Sequence, residues 1–114
     1  MSLTFYGLKT CDTCRKAQKE LIAAGHDITV VDVRADGVSA DKLSEWATKV
    51  EWKKLFNTRS TTWRNLDAAD KEDLDQAKAI ALMVTYPTLI KRPVIENGDS
   101  VTVGWTKDVK ALLL

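Results

Sequence analysis

Glycine and proline are scarce in this 114-residue chain, at five and two residues, which excludes collagen-like and Pro/Gly-rich disordered architectures. No apolar run approaches the roughly 20 residues that a membrane-spanning helix needs. The opening Met1-Ser2-Leu3-Thr4-Phe5-Tyr6 lacks the basic and long apolar regions of a signal peptide, so a cytoplasmic location is expected. Basic residues hold no real excess: 17 Lys+Arg stand against 16 Asp+Glu, for a net charge of +1. A dedicated nucleic-acid binder usually carries a marked surplus, so neither nucleic acid nor membrane is expected as a direct partner. Histidine occurs once, as His26, and cysteine twice, as Cys11 and Cys14. Structural disulfides are rare in the cytosol, and these two cysteines would close a loop too short to brace a fold. The pair therefore poses a question of chemistry.

What is present is ordinary for one globular domain, with 45% hydrophobic and 29% charged residues. Leu3 to Gly7 reads as a first strand, with Leu3 and Phe5 on one face and Thr4 and Tyr6 on the other. Ala17, Leu21 and Ala24 mark a helix that starts just after Cys11 and ends at Gly25. The β-branched run Ile28 to Val33 predicts a second strand, followed by a turn over Arg34 to Val38. Ser39 is placed to cap a helix carrying Leu43, Trp46, Ala47 and Val50. Glu51 to Asp67 is irregular. A further helix is expected over Asp70 to Val84, with the Asp70–Asp75 acidic cluster as its first turn. Pro93 to Glu96 and Ser100 to Val103 flank Asn97-Gly98, a hairpin signal. Thr106 then caps a last helix, Lys107 to Leu113. The order β-α-β, insertion, β-β-α predicts an α/β fold with one mixed sheet. It forms a single domain, 1–114, with a helical insertion over about 38–86.

A cysteine at a helix start meets unpaired backbone N–H groups and about half a positive charge, so the Cys11 pKa should fall below the unperturbed ~8.5. Lys9 and Arg15 add positive charge on either side, and Asp12 works against them. Cys14 lies one turn further in, is expected to be more buried, and is placed to resolve a mixed disulfide or sulfenic acid on Cys11. A Cys-x-x-Cys beside a βαβ pattern is a redox signal. Two unreactive packed cysteines are the alternative. No metal is expected, since two ligands do not make a tetrahedral zinc site and His26 lies beyond the helix. His26 is expected to be exposed and without a role. Trp46, Trp52, Trp63 and Trp105 are expected to serve packing in the core and the insertion.

Three blocks carry a resemblance: Tyr6-Gly-Leu-Lys-Thr-Cys-Asp-Thr-Cys-Arg-Lys-Ala17, Leu55-Phe-Asn-Thr-Arg-Ser-Thr-Thr-Trp63 and Pro87-Thr-Leu-Ile-Lys-Arg-Pro-Val-Ile95. They resemble the arsenate reductase-like (ArsC) family, and most closely its Spx/YffB branch, over nearly the whole chain. The resemblance implies a thioredoxin-like fold with the insertion between the second and third strands. It also implies a cis peptide at Arg92-Pro93, a bond type nearly confined to X-Pro, although a trans Pro93 merely ending a loop is the alternative. In the arsenate-reducing branch a helix-N-terminal cysteine attacks the oxyanion and arginines bind it. Cys11 matches that nucleophile, and Arg15 and Arg92 match two of the arginines, whose planar donor fork suits a tetrahedral oxyanion. Arg59 falls about two residues from the position of a further family arginine, which is Asn57 here, and matches the Asn-Thr-Arg block of the Spx/YffB branch. Its side chain is expected either to face the cysteines or to lie on a solvated loop.

Three departures weaken an arsenate assignment. Gly7 stands where the arsenate reductases carry a histidine, Val103-Gly104-Trp105 replaces a later arginine, and Cys14 replaces a serine. The resemblance thus implies a thiol oxidoreductase with glutathione as co-substrate and no bound cofactor. It would act on a small anionic or disulfide substrate, with glutaredoxin or thioredoxin as candidate protein reductants. The alternative is an Spx-like redox-sensing regulator that binds RNA polymerase through a Cys-x-x-Cys switch.

Overall fold

A computed structural model describes residues 2–114. The chain divides into two compact units, Met1–Asp36 with Arg92–Leu114, and Gly37–Lys91. The second of these covers the stretch in which a helical insertion is expected, about 38–86.

The first unit holds a four-stranded sheet in the order β2-β1-β3-β4, built from β1 (Ser2–Gly7), β2 (Asp27–Asp32), β3 (Val94–Asn97) and β4 (Ser100–Val103). β1 pairs parallel with β2 and antiparallel with β3, and β3 pairs antiparallel with β4. Helix α1 (Asp12–Ala23) makes the β1-to-β2 crossover, the short α2 (Val33–Asp36) follows β2, and α8 (Lys107–Leu113) follows β4. This is the mixed thioredoxin-like sheet, β-α-β … β-β-α. Alternation in β1 sends Leu3 and Phe5 into a core with Cys14, Ala17 and Leu21 of α1, Ile95 of β3, and Val109 and Leu113 of α8. On the other face, the Tyr6 hydroxyl donates to Glu96 Oε1 at 2.9 Å.

Local chemistry ends each element. Gly25 N–H donates to the Ile22 carbonyl and His26 N–H to that of Leu21, with Gly25 at φ +93. This is the Schellman closure that a left-handed glycine permits. Asn97 belongs to β3 and pairs with Ser100, so the hairpin loop is Gly98-Asp99, with Gly98 at φ +60. The Thr106 hydroxyl accepts from Val109 N–H and caps α8.

His26 departs from expectation. It is half-buried, and its Nε2–H donates to the Leu113 carbonyl at 2.6 Å. The turn after α1 is thereby tied to the last turn of α8, a long-range partner that no local pattern announces. Trp105 is held in the same layer. Its indole N–H donates to Glu20 Oε2, and Lys110 Nζ lies 3.9 Å from that oxygen.

The second unit contains α3 (Ala40–Ala47), α4 (Trp52–Leu55), α5 (Thr61–Asn65), α6 (Ala68–Lys71), α7 (Gln76–Thr85) and a 3₁₀ turn, Pro87–Leu89. Trp46, Leu43, Leu55, Met83, Leu89 and Ile90 are fully buried. Phe56 and Ile90 form a single antiparallel bridge, with Asn57 N–H donating to Leu89 and Lys91 N–H to Leu55, both at 2.7 Å. Trp63 meets Phe56 edge-to-face at 5.2 Å. The continuous helix expected over Asp70–Val84 is not present. Asp73 takes φ +50, and the helix starts only at Gln76, capped by the Asp75 carboxylate, which accepts from Lys78 N–H at 2.8 Å. The acidic cluster supplies a cap after a break, since Asp tolerates the left-handed region and favours N-caps over helix interiors.

Removing that cap should be felt by the whole helix. Asp75→Ala is expected to lower unfolding free energy by about 1 kcal/mol, read from the urea midpoint at unchanged m-value.

Candidate active site

The site is built at the junction of β1 and α1. β1 ends at Gly7, the chain loops through Leu8, Lys9 and Thr10, and Cys11 is the N-cap of α1, with φ −86 and ψ 114. Cys11 N–H donates to the Leu8 carbonyl at 3.2 Å, and the Cys11 carbonyl accepts from Arg15 N–H at 3.1 Å, so both sides of the residue are fixed. Asp32, at the end of β2, holds the loop from below. Its carboxylate accepts from the backbone N–H of Arg34 and Ala35 at 2.9 Å each and of Lys9 at 3.4 Å. These donors, the Ala35 N–H foremost, keep it below the usual carboxylate range.

The two cysteines are free thiols in opposite settings. Cys11 is partly buried against the core edge, while Cys14 is fully buried. Burial works against a Cys11 anion, but it is outweighed by the thiol and backbone N–H of Cys14, and then by the hydrogen bond and positive charge of Arg92. Cys11 is held below the ordinary thiol value. Burial pushes the Cys14 thiol up to about 12; the Leu8 backbone offsets part of this, and the neighbouring Cys11 adds to the rise. The two thiols are thus driven apart: the anion is favoured at Cys11 and the proton at Cys14.

Arg92 reaches this site from the start of the segment leading into β3, and the peptide bond joining it to buried Pro93 is cis. The other expected cations are all exposed. Arg15 is exposed and its Nη2 is paired with Asp12 Oδ1; one helical turn brings those two side chains together at i, i+3. Lys9 is exposed, and its charge acts on Asp32. Among the described residues, Arg92 is the cation that favours the Cys11 anion both by a hydrogen bond and by its charge. Arg59 belongs to the insertion unit. It is exposed, its backbone N–H donates to Asn57 Oδ1 at 3.0 Å, and it lines a hollow of about 320 Å³ with Phe56, Asn57, Thr58 and Lys91.

A second hollow of about 330 Å³ borders the loop, lined by Gly7, Leu8, Lys9, Asp32 and neighbours but by neither cysteine nor Arg92. Among the described residues, no group of three or more His, Cys, Asp or Glu is placed to hold a metal ion, and no helix is long and apolar enough to cross a membrane. One contributor escaped the sequence pattern: Asp32 sits in a run that reads simply as strand, and its partners are backbone N–H groups that leave no motif. Gly7, which stands in the place of a family histidine, is packed so that a Cβ there would meet Cys14 Sγ.

Comparison with known proteins gives a consistent result. The model of the ArsC family matches residues 6–111. A solved structure of a protein named YffB is 40% identical, covers 98% of each chain and superposes with a TM-score of 0.92. The crystal structure of a possible arsenate reductase from Streptococcus mutans is 31% identical over 96% of each chain, with a TM-score of 0.82. The global transcriptional regulator Spx of Streptococcus pyogenes is 27% identical over 97% of this chain and 84% of its own length.

Iodoacetamide at neutral pH should label Cys11 and spare Cys14. The rate should rise with pH through a midpoint below ~8.5, the free-thiol value. Arg92→Ala should move that midpoint upward by on the order of one pH unit, because it removes an opposite charge from the anion. Peptide mass mapping across a pH series reads both.

Proposed function

The chain belongs to the ArsC family, and from that membership we propose that it is a glutathione-dependent thiol reductase whose nucleophile is Cys11. The observation that supports this reading is a cysteine at the N-cap position of α1 with two anion-favouring neighbours, Cys14 and Arg92. The Cys11 thiolate attacks one sulfur of a substrate disulfide. A Cys11–substrate S–S bond forms, the substrate's own S–S bond breaks, and the leaving sulfur departs as a thiolate that takes a proton from water. Cys11 is then no longer an anion, so its contribution to the raised Cys14 pKa disappears. Cys14 gives up its proton and displaces the second substrate sulfur, closing a Cys11–Cys14 disulfide. Two glutathione thiols supply the two electrons that reopen it, leaving as glutathione disulfide.

Arg92 serves as the anion clamp. Its fork offers parallel N–H donors to a carboxylate of a glutathione adduct or to an arsenate-like oxyanion. With Gly7 and Val103-Gly104-Trp105 in place of an imidazole and a further guanidinium, a mixed disulfide is favoured over arsenate as substrate. Arg15 can join only by leaving Asp12, an exposed pair that costs little to open.

The relatives named Spx favour a second reading, in which the same two thiols form a switch in a transcriptional regulator that binds RNA polymerase. One panel separates the two: glutathione-coupled reduction of a mixed disulfide and of arsenate, beside a polymerase pull-down. The expected outcome is turnover of the mixed disulfide, abolished in Cys11→Ser. In Arg92→Ala, kcat/KM for an anionic substrate should fall roughly ten- to hundredfold, from the loss of a charged hydrogen bond of ~1.5–3 kcal/mol. Polymerase capture without turnover selects the regulator.

A further inference from the structure

Gly7 does not adopt a positive φ, unlike Gly25, Gly37, Gly98 and Gly104. Its backbone conformation is therefore open to any residue, and the reason for glycine must be space. A Cβ built at this position would stand 2.9 Å from Cys14 Sγ, 3.3 Å from Cys14 Cβ and 2.9 Å from Phe5 Cε1. None of these atoms can retreat freely. Phe5 and Cys14 are both fully buried, in one cluster with Leu3, Ala17 and Ile95, and close-packed interiors accommodate an added methyl only by shifting their neighbours.

We propose that Gly7 is the positioning residue of the two-thiol site: by carrying no side chain, it leaves the room in which the Cys14 sulfur stays in the core and still reaches Cys11. This deepens the reductase reading and rests on Cys11 as its nucleophile. In this chain a side chain at position 7 and the present place of the Cys14 sulfur exclude one another. An imidazole at position 7, of the kind the resemblance led one to look for, would begin with the same Cβ and meet the same sulfur. The absent histidine and the present second thiol are then two sides of one packing constraint.

The test uses the full chain and needs no substrate. The Cys11 titration midpoint is read from alkylation rate against pH in the parent, Gly7→Ala, Cys14→Ala and the double variant. Gly7→Ala is expected to raise the midpoint by on the order of one pH unit, because a displaced Cys14 no longer donates to the anion. In the Cys14→Ala background, adding Gly7→Ala is expected to leave the midpoint where Cys14→Ala put it. An unchanged midpoint in Gly7→Ala overturns the proposal, as does an equal rise in both backgrounds. If Gly7→Ala fails to fold, recovery of a cooperative melt by Cys14→Ala supports the proposal. Recovery by Phe5→Leu alone, or by neither, overturns it, since the space would then not be owed to the sulfur. A parent Cys11 that titrates as an ordinary thiol would overturn the reductase reading as well. A low parent midpoint with Gly7→Ala unchanged would remove only the role given to Gly7.

Discussion

A sulfur that must carry negative charge while standing half out of water sets the terms for the rest of this molecule. Burial alone would protonate it. The fold answers with two residues: Cys14, through its thiol and its backbone N–H, and Arg92, through its hydrogen bond and its charge. The strand-to-helix junction exists to hold that arrangement, and the hydrogen bonds at Leu8, Arg15 and Asp32 brace it.

The same geometry drives the two thiols apart in acidity. Each cysteine feels the other, yet the partly exposed one is lowered and the buried one is raised. Titratable neighbours pushed in opposite directions by their surroundings are a mark of divided chemical roles. Here the division follows from a single helical turn. The cap position faces the core's rim, and the residue three places on faces its middle, next to Phe5 and Ala17.

Much of this could be read from residue order. The alternation in β1, the β-branched run of β2, the Asn97–Ser100 hairpin and the cap at Thr106 are local patterns, and local patterns survive folding. The contrast between a partly exposed Cys11 and a buried Cys14 is legible because one helical turn separates the helix start from the core face. What residue order leaves out is which neighbour a side chain meets. The Cys-x-x-x-Arg match says nothing of Asp12, yet Asp12 is the carboxylate paired with Arg15. The Asp70–Asp75 cluster was read as a helix turn, but Asp73 breaks the helix and Asp75 caps the next. His26 looked solvated because its acceptor, the Leu113 carbonyl, lies at the opposite end of the sequence.

The insertion parts the sulfur from its cation along the chain: Cys11 precedes Gly37–Lys91 and Arg92 follows it, and β1 meets β3 by long-range antiparallel pairing. The acidity of one thiol is therefore a property of tertiary structure. Where β3 comes away from β1, the sulfur is left without its guanidinium and drifts back towards an ordinary thiol.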